Sequence, residues 1–198
     1  MEKTILHAAE QLFLNKGFAL TSTTEIAEAA GCNQALIHYY FRTKEKLFEA
    51  VFEEKAKIFF SSVIDITDNS VSFDEALRRT IEAHFDMIRA NPQLPFFIVN
   101  ELITNPGRIE SMKRIVGPRI GNVYSRVARW LGEEASKGCI RPVDPFDLIY
   151  TVVSLNVAAF LAAPIVRRVR AIEDSAFERY LDERRKANVE FVLKSLRP

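Results

Sequence analysis

The residues whose types and spacing can do chemistry lie close together, in the run Gln34-Ala35-Leu36-Ile37-His38-Tyr39-Tyr40-Phe41. Turned as a helix at about 100 degrees per residue, this run puts Ile37 and Phe41 on one side and Ala35 and Tyr39 on the other, with Leu36 and His38 flanking. Ile37 and Phe41 are expected to face inward, and Tyr40 falls between the two faces, where its ring can pack while its hydroxyl reaches out. The outward side then presents small Ala35, aromatic Tyr39 and polar His38, with Gln34 at the N-terminal end. No acidic residue stands between Ala29 and Arg42, so a polyanion can approach this surface. A Gln amide donates and accepts together, as the major-groove edge of adenine requires, whereas Ala35 and Leu36 offer only apolar contact, for instance to a thymine methyl. The chemistry implied is the reading of duplex DNA, leaning towards A·T pairs, by a helix laid in the major groove.

A helix used in this way must be held by others. Apolar residues Ile5, Ala8, Ala9 and Leu12, with Phe13 at the edge of their stripe, predict a first helix over about 2–15 that stops at Lys16-Gly17. Ser22-Thr23-Thr24-Glu25 has the form of a capping box and opens a short second helix through Ile26, Ala27 and Ala30, closed by Gly31. Asn33 is a good N-cap for the third helix, Gln34 to Phe41. Two short helices thus flank a tight turn, a helix-turn-helix over about 22–41. Thr43 can cap a long helix through Leu47, Val51, Phe52, Ile58, Phe59 and Val63, broken at Asp68-Asn69-Ser70.

Beyond Ser72, helical spacing of Phe73, Leu77, Ile81, Phe85 and Ile88 runs to Asn91-Pro92, and a short helix is expected from Pro95 to Thr104. A further helix is expected from about Met112 to Lys137, ending at Gly138. Asp144-Pro145 should start a Leu148–Val166 helix, and Ser175 can cap a last one through Phe177, Leu181, Phe191 and Val192. The chain reads as all-α: an N-terminal three-helix domain over 1–48, joined by a long helix to a larger helical domain over 49–198.

Charge does not identify the partner, because the net charge of the 198-residue chain is only +1 and residues 1–46 balance five basic against five acidic side chains. Cys32 and Cys139 stand in no metal-ligand or disulfide spacing. Cys32 reads as a packing residue and Cys139 as a turn residue. His7, His38 and His84 are scattered, and neither a phosphate loop nor a nucleophile elbow appears, so catalytic residues, a metal site and a cofactor are not expected. The N-terminus lacks the basic start and apolar core of a signal peptide, which predicts a cytoplasmic protein. Leu148–Val166 carries no charge, but Thr151, Ser154, Asn156 and Pro164 argue for a buried helix rather than a membrane span.

The run Thr21 to Leu47, TSTTEIAEAAGCNQALIHYYFRTKEKL, closely resembles the DNA-binding signature of TetR-family transcriptional regulators. The match includes the Thr pair, Ile26-Ala27, Ala30-Gly31, the Ile37-x-x-Tyr40-Phe41 ending, and Lys44 with Leu47. It covers about the first 50 residues when Gly17-Phe18 and the first helix are included, the remainder agreeing in length and helical pattern. The resemblance implies phosphate contacts from Thr23, Thr24 and Lys44, backbone contacts from His38 and Tyr40, and base contacts from Gln34, Ala35, Leu36 and Tyr39. His38 and Leu36 depart from the family, which often has an aromatic and a small or hydroxyl residue at those positions.

The resemblance further implies a homodimer formed through about 148–166 and 177–196, a near-palindromic double-stranded operator, and a small apolar ligand that releases a repressor from DNA. His84, Phe85, Ile88, Phe96, Asn100, Tyr124 and Asn156 are the candidates to touch that ligand, as a Phe-rich region with few polar groups suits an apolar pocket. The alternatives are a helical small-molecule-binding protein whose DNA-binding module is vestigial, and a catalytic helical domain, which lacks a catalytic constellation.

Overall fold

A computed structural model describes residues 1–61 and 71–198, and Val63 and the Asp68-Asn69-Ser70 break lie outside them. Ten α-helices and no strand occur among the described residues: α1 Glu2–Lys16, α2 Thr23–Ala29, α3 Gln34–Phe41, α4 Lys44–Ser61, α5 Phe73–Ala90, α6 Leu94–Thr104, α7 Gly107–Ser136, α8 Pro145–Leu161, α9 Ala163–Val169 and α10 Asp174–Ser195. The all-helical expectation holds. Two compact units are formed, one of Met1–Ile58 with Phe96–Ile115, the other of Phe59–Pro95 with Val116–Pro198.

In the first unit, α1, α2 and α3 close around Ile5, Ala9, Phe13, Ile26, Ala27 and Ile37, joined by Leu47, Phe48, Val51 and Phe52 of α4. Phe13 is wholly buried, not at the edge of its helix, while Leu12 is only half-buried. The Phe13 ring meets Phe48 edge-on at 5.0 Å, a contact that an aromatic can reach from a flanking helical position. Phe41 is likewise half-buried, so Ile37 alone carries the fully buried face of α3. Inside this unit Lys55 Nζ and Glu10 are 2.7 Å apart, a shielded ion pair between α4 and α1.

In the second unit α5, α8 and α10 pack on one another. Leu77, Ile81, Val123, Val127, Leu131, Ile140, Leu148, Val152, Val189, Val192, Leu193 and Leu196 form its core. Three expected boundaries move. α7 starts at Gly107, five residues before Met112, and continues through Pro118. The expected Leu148–Val166 helix is broken at Ala162 into α8 and α9, bent by 51°, with Pro164 in the first turn of α9, where a missing N–H is harmless. α10 begins after Glu173, without a side-chain cap from Ser175.

Among the described residues no single helix is long and apolar enough to cross a membrane; the α8–α9 pair meets the length and composition only as a bent pair. Cys32 is half-buried and Cys139 exposed, both as free thiols.

Candidate nucleic-acid interface

Local chemistry fixes the ends of the three short helices. Gly17 ends α1 at φ 76°, and the buried Thr21 hydroxyl donates to its carbonyl at 2.8 Å, securing the connection to α2. The capping box of α2 is formed: Glu25 N–H donates to Ser22 Oγ at 3.1 Å, and Ser22 N–H donates to Glu25 Oε2 at 2.9 Å. Lys16 Nζ donates to the other Glu25 oxygen at 2.6 Å. These partners, Lys16 first and then Ser22, hold the Glu25 carboxyl down from 4.5 to about 2. The one acid in the first turn of α2 is thereby charge-paired and turned into the cap, leaving Thr23 and Thr24 to the helix N-terminus, where partial positive charge favours a phosphate.

Gly31 closes α2 at φ 64°, and Cys32 N–H reaches back to Ala27 O at 2.9 Å, the six-to-one bond of a Schellman ending. Asn33 then caps α3 by accepting from Leu36 N–H at 3.1 Å. α3 is set out from the surface by this turn and by the burial of Ile37, which is 1 % exposed against 68 % for Tyr39. Gln34, Ala35, His38, Tyr39 and Tyr40 are all exposed and Leu36 is half-buried. The outward face expected from the helical wheel is therefore present.

The side chains on that face are ordered by one another. Gln34 Nε2 donates to Thr23 Oγ1 at 2.5 Å, tying the candidate base reader to a candidate phosphate contact. Tyr39 and Tyr40 stack edge to face at 5.1 Å. His38 Nδ1 lies 3.0 Å from the Arg42 carbonyl. A carbonyl only accepts, so Nδ1 carries the proton, and the outer Nε2 of the neutral ring is a lone pair.

α3 ends at Arg42 with φ 67°, and Thr43 N–H bonds Phe41 O at 2.8 Å. This tight turn is strained for a residue with a side chain. It brings Thr43 into place to cap α4 through Lys46 N–H at 3.2 Å. Lys44, in the first turn of α4, is half-buried with Nζ 4.2 Å from the centre of the Phe18 ring, a cation–π contact that positions its charge. Exposed Arg42 is a cation that the sequence reading passed over. Its signal was a basic residue between a recognition helix and a capped helix.

The seven candidate ligand contacts are divided between the two units. His84, Phe85, Ile88, Tyr124 and Asn156 belong to the second unit, Phe96 and Asn100 to the first. His84 and Asn156 are fully buried and bonded at 3.0 Å. Phe85 and Ile88 are fully buried, and the Phe85 ring lies 4.9 Å from Phe160. Phe96, Asn100 and Tyr124 are exposed. Among the described residues no group of three or more His, Cys, Asp or Glu could hold a metal ion.

Comparison with known proteins finds family matches in both the N-terminal and the C-terminal part of the chain. Residues 5–51 match the family described as bacterial regulatory proteins, tetR family. Residues 74–192 match the tetracyclin repressor-like C-terminal domain. Among curated relatives, the HTH-type transcriptional activator FasR of Mycolicibacterium smegmatis is 25% identical over 67% of this chain and 61% of its own length. The HTH-type transcriptional regulator RutR of Escherichia coli is 26% identical over 76% of this chain and 69% of its own. Among solved structures, a Clostridium perfringens putative fatty acid metabolism regulator aligns with TM-score 0.71 at 20% identity, covering 98% of both chains, which shows a shared fold.

Proposed function

The chain belongs to the TetR family of bacterial regulatory proteins and is a helix-turn-helix transcriptional regulator, and we propose that it is a repressor that grips a near-palindromic operator as a homodimer and lets go when a small apolar molecule binds. The observation that carries this reading is the exposed face of α3, where Gln34, Ala35, His38 and Tyr39 stand clear of the core and no acidic residue stands in the sequence between Ala29 and Arg42. In this reading Gln34, Ala35, Leu36 and Tyr39 meet base edges, while Thr23, Thr24, His38, Tyr40 and Lys44 meet the backbone. On binding, Gln34 exchanges its bond to Thr23 for an adenine edge, freeing the Thr23 hydroxyl for a phosphate.

Residues 1–48 serve DNA, and 49–198 serve ligand and dimerisation. The dimer surface proposed is 148–166 with 177–196. Its support is the apolar surface that a single chain leaves in water there, with Tyr150, Leu161, Ile165 and Phe191 exposed. Two copies of these helices would cover one another in a four-helix bundle. An apolar effector binding more tightly to the DNA-incompetent arrangement would shift the population, with the helix after Thr43 carrying the change. Its site of action is the cytoplasm, where the operator is.

The test is selection of bound duplexes from a random DNA pool by the purified protein, followed by a salt titration on the winner. Enrichment of a palindrome with affinity falling steeply as salt rises is the expected result. No enrichment at low salt would favour a ligand-binding protein with a vestigial motif. A reporter behind the selected operator, with and without the protein, fixes the sign of regulation: expression should rise when the protein is removed.

A further inference from the structure

The apolar core of the second unit encloses three polar side chains, His84 of α5, Asn156 of α8 and Asn188 of α10, all essentially without exposure. They form one chain of hydrogen bonds whose direction is set from its ends. At the outer end the Arg184 guanidinium, which can only donate, bonds Asn188 Oδ1 at 2.9 Å. Asn188 Nδ2 therefore donates to Asn156 Oδ1 at 2.9 Å. Asn156 is left with its two amide protons for the inner end. One goes to the Ile81 carbonyl at 2.9 Å, which can only accept. The other goes to His84 Nδ1 at 3.0 Å.

His84 Nδ1 must then be an acceptor, and the neutral ring keeps its proton on Nε2. Burial holds the His84 pKa down at about 4, so the ring is neutral at physiological pH. His84 Nε2 is buried and has no hydrogen-bond partner among the described residues. Buried donors in native proteins are nearly always satisfied, and one left over calls for an acceptor from outside the chain. Ile81, Phe85 and Ile88 are buried on the same helix, as is Thr80, whose hydroxyl donates to the Ala76 carbonyl at 3.0 Å, and the Phe59 ring stands 6.4 Å away, centre to centre.

We propose that His84 Nε2–H is the anchor of the effector site, and that the effector is an apolar molecule carrying one uncharged carbonyl oxygen, as in an ester, amide or ketone. The proposal rests on the reading of this helical region as ligand-responsive and makes it specific. Asn156 is committed at both ends of its amide, so it orients His84 and does not touch the ligand. A hydrocarbon would leave the donor unmet, and an amine would face donor with donor. A carboxylate would bury a charge against a single neutral N–H, which costs far more than that bond returns.

The test uses the full chain with ¹⁵N-labelled histidine and four probes of matched length: methyl octanoate, nonane, octanoate and octylamine. In the free protein, the His84 ring should give the nitrogen shifts of the neutral tautomer protonated at Nε2. Methyl octanoate should bind on the order of tenfold tighter than nonane or octanoate, about the strength of one hydrogen bond to an otherwise unmet donor, and should move the Nε2 resonance. In His84→Phe the ester's advantage over nonane should fall to about one. His84→Gln, which keeps a donor amide, should retain part of it, and this variant and the tautomer spectrum decide the matter if His84→Phe does not fold. Protonation at Nδ1, equal binding of ester and alkane, or an ester preference that survives in both variants would overturn the proposal. If the ester frees operator DNA without dependence on His84, the anchor fails and the ligand-responsive regulator stands; if no probe binds or frees DNA, both fail.

Discussion

Replacing Ile37 and Tyr39 in turn by alanine separates holding α3 from using it. Ile37 is 1 % exposed, and truncating a buried Ile to Ala costs about 2–5 kcal/mol, a large share of the ~5–15 kcal/mol that holds a domain folded. Tyr39 is 68 % exposed and its ring meets Tyr40 edge to face, so its loss should cost less than about 1 kcal/mol of stability. Its expected cost appears on DNA. A base-edge contact discriminates by about 1–3 kcal/mol, and a symmetric dimer loses two, so Tyr39→Ala should weaken operator binding by about 2 kcal/mol or more, roughly 30-fold. Urea unfolding followed by circular dichroism gives the first quantity, and fluorescence anisotropy on a labelled operator the second. Phe41→Ala should fall short of Ile37→Ala in destabilisation, because Phe41 is only half-buried. A Tyr39→Ala protein that loses more than about 2 kcal/mol of stability, or that binds operator within twofold of wild type, would refute the assignment of faces.

Lys44→Ala should weaken binding about equally across operator sequences and flatten the salt dependence by about one phosphate per half-site, because it removes a positioned charge rather than a base contact; salt titrations on specific and scrambled duplexes check this. Arg42 sits at φ 67°, so Arg42→Gly should leave stability unchanged or raise it by about 1 kcal/mol while weakening DNA binding, as read by thermal melts and anisotropy together. The His84 pKa is lowered by burial from 6.5 to about 4. Its neutral form therefore contributes stability that is present above about pH 6.5 and is lost as pH falls towards 4, by up to about 3 kcal/mol, and the pH dependence of urea midpoints should be shallower in His84→Phe.

The parts of this structure governed by near neighbours could be read from the sequence, because a cap or a helix stop needs only four or five consecutive residues. Ser22 with Glu25, Asn33, Gly17 and Gly31 all act where their types indicated. The outward face of α3 was equally legible, since Tyr39 and Ile37 differ by helical phase alone. Other features depend on partners that sequence order does not supply. Phe13 turns inward because Phe48 meets it from another helix. The break at Ala162 was signalled by Pro164, but an uncharged run hid it, as a proline can sit in the first turn of a new helix or deep inside one like Pro118 of α7. The Gln34–Thr23 bond, and the His84–Asn156–Asn188 chain with its 72- and 32-residue separations, come only from the packed fold.

The most direct test of the central claim, that the outward face of α3 reads the operator, is base-by-base affinity mapping of the selected operator with wild type and Gln34→Ala. Wild type should lose affinity at symmetric positions in both half-sites, and Gln34→Ala should lose discrimination at one A·T pair in each half-site while keeping it elsewhere. A variant that weakens equally on every sequence, or retains full discrimination at every position, would show that this helix does not read bases through Gln34 and would contradict the account.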